Sequence, residues 1–468
     1  NKPRKVDGRV DGEIATVCPY LDTINRQVLD FDLEKCCSVT LSYTSVYSCL
    51  VCGTFLQGKS CSSPAYSHAI QTGHAVFLQL DFPNKIYCLP DNYEVVDESL
   101  RDIVSFLRPR LSRAEVNMLP KSTLLSKGVH GKAYLPGYVG LNNLKHTDYL
   151  NVMVQVLAHV DPLREFFLNE QEYSGNSDGM DSSTTANTHV LVKRLGELFR
   201  KMWNPRNFKA SVDPREFVEA VSTCSKKRFE AGKVGGRTID LFSWFLTTMQ
   251  KKMSSPKFMK SPTQLINDTF QGVIEVSSQR LLGGETIQSM TQKSLPFYFL
   301  TVDVPASAGL YSNGKEGVLK QIELEDLLQK FNGKAISETI TTAGNDLPAK
   351  DLTRIRSIYR VLKSPPYLLI KVQRFSKNNF FVEKKNTIVK FPLKNLKFHH
   401  KNYDLIASIV HTIPDGVQIG EDVTGGHDIG SYKVHLSHES ADDTWVEIED
   451  LLVTRILPQL VSLAATSL

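Results

Sequence analysis

Two sets of residues have the types and spacing to do chemistry. One is Gly137-Tyr-Val-Gly-Leu-Asn-Asn-Leu-Lys-His-Thr-Asp148-Tyr-Leu-Asn151, which runs into the apolar stretch Val152-Met-Val-Gln155-Val-Leu157. A loop rich in Gly and Asn that ends at a helix start offers free N–H groups and the positive end of the helix dipole to an anion, and nucleophiles are often held this way. The residue so presented is an aspartate, so the loop is either an unusual working site or the remnant of one. The other set is Cys49-Leu-Val-Cys52 followed, sixteen residues later, by His68 and then His74. Two thiolates on a tight knuckle and two imidazoles six residues apart supply four tetrahedral ligands, which predicts one zinc ion held by Cys49, Cys52, His68 and His74. The alternative is a pair of core cysteines beside surface histidines.

These residues need elements to place them. Around the cysteines, residues 18–97 form a unit with strand-like segments at Ser38–Ser42, Ala75–Leu80 and Lys85–Cys88, separated by Gly, Pro and Asn. From Glu98 to Leu119 the spacing of Leu100, Ile103, Val104, Leu107 and Leu111 is helical, with a break at Pro109, and residues 98–136 read as a helical linker. From 137 to 468, helical stretches (151–168, 188–203, 214–223, 238–252) precede strand-rich ones (297–304, 366–375, 387–392, 403–411, 431–437). That order predicts an α+β domain with an antiparallel sheet. Two polar or glycine-interrupted segments, Asn169–Thr188 and Thr412–Gly430, read as irregular loops, the first of them disordered. No internal repeat is present.

Bulk properties bound the function. A chain of 468 residues holds two to three domains by the usual prior. With 41% hydrophobic and 22% charged residues it is ordinary for a globular protein, and a net charge of +5 makes no strong argument for nucleic acid. The basic residues Lys2, Arg4, Lys5 and Arg9 sit in a tail, 1–17, that reads as solvated. The clusters Lys226-Lys-Arg228 and Lys384-Lys385 have the charge to meet RNA phosphates, although solvated faces account for them more simply. No apolar run of about eighteen residues and no leader pattern occurs, so an intracellular protein without a membrane contact is expected. Seven of the eight cysteines fall before residue 90, and with histidines nearby they favour a metal site in a reducing compartment over a disulfide framework.

Residues 18–97 resemble the zinc finger of ubiquitin-specific proteases, through Tyr47-Ser-Cys49-Leu-Val-Cys52-Gly53, Ala65-Tyr-Ser-His68, Thr72-Gly-His74 and Tyr87-Cys88. Two departures matter. Lys59 follows Gly58 where the family often has the arginine that grips the free C-terminus of ubiquitin, and Pro64 stands where the first histidine of the helix falls. The resemblance therefore implies a single structural zinc, Cys37 as a leftover ligand, structural roles for Cys18, Cys36, Cys61 and Cys88, and weak grounds for ubiquitin binding.

The rest of the chain resembles the papain-like catalytic domain of the same family. Gly140-Leu-Asn-Asn-Leu-Lys-His-Thr-Asp148-Tyr-Leu-Asn151 is similar to its Gly-Leu-x-Asn-Leu-Gly-Asn-Thr-Cys-Tyr-Met-Asn box. Asp240–Leu246, Pro365–Phe375 and Tyr403–His411 follow as three further boxes in the family's order. In this alignment Asp148 takes the nucleophile position, Ser431 of Gly430-Ser-Tyr432 the general base, and Glu449 of Trp445-Val-Glu-Ile-Glu449-Asp450 the orienting residue. A competing register would use Gly426-His427, but no strand pattern follows it. Cys224 lies outside every box and reads as an ordinary helix cysteine. The resemblance implies an inactive deubiquitinase homologue with no catalytic residues. The runs Cys18–Arg26, Val28–Asp32, Cys88–Tyr93 and Leu457-Pro458 are similar to the splicing-associated branch of the family. That likeness implies a nuclear, non-catalytic scaffold that promotes or stabilises tri-snRNP assembly through protein contacts, with direct or indirect snRNA contact. The rivals are a conditionally active deubiquitinase and an adaptor that docks ubiquitin or a ubiquitin-like protein in a dead cleft.

Overall fold

A computed structural model describes the chain except for residues 1–4, 11–12, 17, 170–182, 234–235, 253–261, 283–284, 306–320, 342–352, 378–381, 386, 413–429, 439–443 and 463–468. It divides into two compact units, residues 1–112 with 124–139 and 200–213, and residues 113–123 with 140–199 and 214–468. Most of the loop Thr412–Gly430 and of Asn169–Thr188, and the residues Gly426 and His427, lie outside the described residues; the helix Ser183–Trp203 already begins inside the second segment.

In the first unit the period of two along the strands decides the layers. Val46–Cys49 is buried at every position and is flanked on both sides in an antiparallel sheet of order Phe55–Gln57, Val46–Cys49, Val76–Gln79, Ile86–Cys88 and Tyr93–Glu94. Val46, Leu78, Ile86 and Cys88 point to one face and pack with Leu50, Ile103 and Phe106. Tyr47, Cys49, Leu56 and Phe77 point to the other and cover Ala65 and Ala69 of the helix Pro64–Thr72. Local chemistry sets the ends of that helix: the Ser63 hydroxyl accepts from the Tyr66 amide, Pro64 fills the first helical position, where no amide is needed, and Gly73 closes it at φ 74°.

Ser38–Ser42, expected as a strand, forms a turn. The Cys37 sulfur accepts from the Thr40 amide and the Cys37 carbonyl from the Leu41 amide, and Leu41 sits at φ 56°, so the backbone curls back on itself. The two strands that carry the cysteine knuckle, Val46–Cys49 and Phe55–Gln57, had no pattern long enough to be read. The helical spacing after Glu98 resolves into Arg101–Leu107 and Arg113–Met118, with the break at residues 108–112 around Pro109.

In the second unit the helix Asp148–Ala158 is buried at all of its residues from Tyr149 to Ala158, as its run of apolar side chains demands. Around it lie Asp161–Leu168, Arg215–Cys224, Thr238–Lys252 and Pro262–Phe270. The strands build the expected antiparallel sheets, one of order Ala407–Thr412, Ser431–Ser437, Trp445–Glu449 and Leu452–Ile456, another of order Glu285–Phe297, Gly272–Leu282, Thr353–Lys363 and Asn332–Thr341. Two parallel pairs, Phe299–Asp303 with Leu369–Gln373 and Gln321–Glu323 with Ile388–Lys390, add to them. The class is α+β. Among the described residues no helix is long and apolar enough to cross a membrane.

Phe77 is fully buried between the finger sheet and its helix, with its ring edge-on to His68 at 6.1 Å between centroids. Phe77→Ala is expected to destabilise the protein by about 3–5 kcal/mol, because the space left cannot collapse against a sheet and a capped helix. Denaturant unfolding measures it, and a loss below about 1 kcal/mol contradicts this packing.

Candidate functional site

The metal-ligand set predicted from spacing comes together. The Cys49 sulfur lies 3.6 Å from His74 Nδ1, the Cys52 sulfur 3.5 Å from His68 Nε2, and the two ring nitrogens 3.2 Å apart. All four ligand atoms lie within 4.8 Å of one another. A tetrahedron with Zn–S near 2.3 Å and Zn–N near 2.0 Å has S–N and N–N edges of roughly 3.3–3.5 Å, so the spacing fits zinc. The positions follow from local structure. Gly53, at φ 77°, lets its amide reach back to the Cys49 carbonyl at 2.8 Å and so folds the knuckle, while Gly73 turns the chain after the helix so that His74 faces His68. Burial pushes the Cys49 thiol up to about 12, and burial followed by the neighbouring His74 lowers the His68 pKa, which leaves a neutral imidazole suited to a cation. Of the other cysteines in this unit, Cys18, Cys37 and Cys88 are buried, Cys36 is half-buried and Cys61 is exposed. Cys37 accepts from the Thr40 and Gln57 amides instead of facing a metal.

The second set is built where the Asp148–Ala158 helix meets the sheet containing Ser431–Ser437. The loop before the helix is tied by its own side chains: Asn143 Oδ1 accepts from the Thr147 amide and Thr147 Oγ1 from the Leu144 amide, both at 2.9 Å. Asp148 opens the helix, and its carboxylate accepts the Tyr432 amide at 2.9 Å. Burial raises the Asp148 pKa; the Tyr432 amide partly offsets this, and the Asp450 charge adds to it. Ser431 donates to Glu449 Oε1 at 3.0 Å and lies 3.0 Å from Thr412 Oγ1. The fold thus brings Asp148, Ser431 and Glu449 into one cleft. Cys224, at the end of the helix Arg215–Cys224, belongs to a different element.

One central residue was overlooked in the sequence. Asp450 accepts from Asn143 Nδ2 and from Asn151 Nδ2, each at 2.9 Å, and its carbonyl accepts the Leu141 amide at 2.9 Å. It sits in a turn at φ 48°, beside Gly140, where an added Cβ would come within 2.7 Å of Leu451 Cα. Its signal was an acidic residue next to Glu449, in a chain whose 140–151 stretch holds three asparagines, Asn142 and Asn143 in the loop and Asn151 in the helix. What pairs with those amides is a matter of three-dimensional closure. Around the cleft stand three carboxylates, Asp148, Glu449 and Asp450, and no thiol or imidazole occupies the aligned positions. A carboxylate held by a backbone amide, and a hydroxyl whose proton points at another carboxylate, can each fix the local fold.

The sign of the Asp148 shift gives a pH test. Its folded-state pKa is raised, so ionisation costs more in the fold than in the unfolded chain; the penalty is absent below the unfolded pKa and grows as pH rises through the folded one. D148N, which keeps an acceptor for Tyr432, is expected to raise the unfolding midpoint at pH 7, with the advantage shrinking toward pH 3. A difference that does not change with pH contradicts a raised Asp148.

With this geometry in place, comparisons with known proteins are informative. Residues 139–466 match the family model described as ubiquitin carboxyl-terminal hydrolase, and residues 36–100 the model described as Zn-finger in ubiquitin-hydrolases and other protein. The chain is 42% identical to ubiquitin carboxyl-terminal hydrolase 39 of Mus musculus over 98% of its own length and 81% of that protein's. It is 34% identical to the probable mRNA-splicing protein ubp10 of Schizosaccharomyces pombe, over 95% of this chain and 86% of that one. A solved structure titled as the crystal structure of an essential yeast splicing factor has the same fold, with a TM-score of 0.73, 23% identity, and coverage of 96% of this chain and 98% of that chain.

Proposed function

We propose, for a chain that belongs to the ubiquitin carboxyl-terminal hydrolase family, that it is a non-catalytic factor of pre-mRNA splicing in which the hydrolase fold serves as a scaffold. The finer reading is a nuclear protein that promotes or stabilises tri-snRNP assembly through protein contacts. The observation that carries it is the cleft itself: Asp148, Ser431 and Glu449 stand where a thiolate, its base and its orienting partner would act. The splicing role draws on the S. pombe relative, whose printed name is that of a probable mRNA-splicing protein and which aligns across both units.

The chemistry supports a loss of hydrolysis in three ways. A carboxylate is a weak nucleophile toward an amide, and the Asp148 oxygen is engaged by the Tyr432 amide. The Ser431 hydroxyl cannot take and return a proton near neutral pH as an imidazole does. Three carboxylates around the reacting position would oppose, rather than stabilise, a developing oxyanion. What remains after losing nucleophile and base is at most the residual rate from binding. In the finger, the Lys59 ammonium lies over the Tyr87 ring, 3.8 Å from its centroid, and so is drawn onto the module's own surface where the family's arginine would reach for a ubiquitin tail.

In the finger, Cys49, Cys52, His68 and His74 would hold one structural zinc, which when bound crosslinks the knuckle to the end of the helix. Elemental analysis is expected to find about one zinc per chain, lost in Cys49→Ser; a content near zero in the wild type refutes the site.

For the scaffold, zinc-loaded protein is expected to form no adduct with ubiquitin vinyl sulfone and to leave a fluorogenic ubiquitin substrate uncleaved, while affinity purification at low salt recovers spliceosomal proteins and snRNAs. Turnover that disappears in Asp148→Ala overturns the non-catalytic reading. Failure to recover splicing components overturns the splicing one.

A further inference from the structure

We propose that two loops on the rim of the cleft form a phosphate-binding surface for RNA, carried by Lys145, His146, Lys226, Lys227, Arg228 and Lys233. The inference deepens the splicing reading and rests on it for the presence of RNA; the surface itself is argued from backbone geometry and charge.

The backbone is the first observation. Lys145 and His146 both adopt left-handed conformations, at φ 62° and 59°, and so do Lys226 and Lys227, at φ 54° and 61°. Residues with a Cβ rarely adopt this region, and long side chains gain nothing from it locally. At the first pair, the family box to which this loop is similar carries Gly-Asn, the two residue types that enter the region most readily. Here the turn is kept and its undemanding residues are replaced by Lys145 and His146. Strain of this kind, retained where easier residues exist, points to a role for the side chains.

The second observation is that the two strained pairs are joined. The Gly232 amide donates to the Lys145 carbonyl at 2.7 Å. Beneath them Phe229 meets the ring of Tyr149 at 6.4 Å, and Gly236 lies so close to Tyr149 that an added Cβ would come within 2.2 Å of its ring. The Lys233 ammonium reaches the Arg228 carbonyl at 3.3 Å. All six basic residues are exposed, Lys227 by 78% of its side chain. The nearby acids only partly compensate: Glu230 is 4.0 Å from Lys227, and Asp240 pairs with Arg237 at 3.9 Å. Asp148 follows the Lys145-His146 pair by two residues in the chain, so its carboxylate disfavours an anion on that side of the loop.

Composition selects RNA over an acidic protein. Protein interfaces are depleted in lysine and are anchored by buried apolar or aromatic side chains. Four of these six residues are lysines, and none of the large exposed hydrophobics among the described residues lies on either loop. Phosphate contacts need flexible cations and no apolar anchor. Of the other basic pair visible in the sequence, Lys385 is half-buried and turns its ammonium onto the Val304 carbonyl, whereas the six residues here are exposed.

The test uses the full zinc-loaded chain and fluorescence anisotropy with a labelled 20-nucleotide oligouridine, from 50 to 200 mM salt. The wild type is expected to bind at 50 mM salt, and K226A/K227A/R228A to bind about tenfold more weakly, with the slope of log affinity against log salt reduced by about 2, or 0.7 for each single-strand phosphate contact. The variant K145G/H146N, which restores the family's turn, is expected to unfold at a higher temperature and yet bind RNA several-fold more weakly, an effect that a purely structural role would not produce. Polyglutamate of equal length is expected not to compete. The proposal is overturned by no binding at 50 mM salt, by wild-type affinity in either variant, or by polyglutamate binding that the same variants abolish, which would identify an acidic protein as the partner. A wild-type chain that binds no RNA yet recovers splicing proteins would overturn this inference alone; a wild-type chain that binds RNA yet recovers no splicing proteins would overturn the splicing reading alone.

Discussion

The loop that opens the buried helix depends on one half-buried anchor, the Asp450 side chain and backbone. A single left-handed turn aims its carboxylate at the amides of Asn143 and Asn151 and its carbonyl at the Leu141 amide, so one residue at the end of the Trp445–Glu449 strand closes the loop that begins at Gly140. These are charge-assisted hydrogen bonds across some 300 residues of sequence; Asn143 is exposed, but Asn151 is buried, and leaving its amide unpaired would cost about 1–3 kcal/mol. The requirement reaches further through Gly140, whose lack of a Cβ lets the loop lie against Leu451. The Asp148–Ala158 helix can then start where it does and bury ten consecutive residues.

That anchor explains how the loop of a hydrolase fold is held without help from Asp148, Ser431 or Glu449. The groups that hold the loop, Asn143, Thr147, Asn151 and Asp450, are distinct from those at the nucleophile, base and orienting positions. Asp148 and Ser431 make contacts of their own, to the Tyr432 amide and to Glu449. The result gathers three carboxylates, Asp148, Glu449 and Asp450, where the helix meets the sheet.

The finger reaches its order by a different route. Its sheet is small, and each face of the central strand buries a separate cluster, of which the one beneath the helix Pro64–Thr72 is the smaller. A capped helix and a four-ligand knuckle compensate by fixing the short elements that packing alone would leave loose. The departures from the family, Lys59 and Pro64, are absorbed without damage: Lys59 lies on Tyr87, and Pro64 occupies the first helical position, where a missing amide is harmless.

Much of this was legible in the chain itself wherever the physics is local. The spacing of Cys49, Cys52, His68 and His74, the apolar run after Asp148, and the helix-then-strand order of the larger unit each depend on residues within a few turns of one another, and the structure places them accordingly. The turn at Ser38–Ser42 was misread because the Cys37 sulfur and carbonyl, not the side-chain alternation, decide the backbone there. The role of Asp450 was set only by tertiary structure, since a hydrogen bond between residues some 300 positions apart leaves no periodicity to read, and the bond from Ser431 to Glu449 depends on the pairing of two separate strands. The same holds for the joined basic loops. Charge at Lys226–Arg228 was visible from the start, but the strained backbone and the Gly232 to Lys145 bond that bring it beside the cleft exist only once the chain has closed on itself.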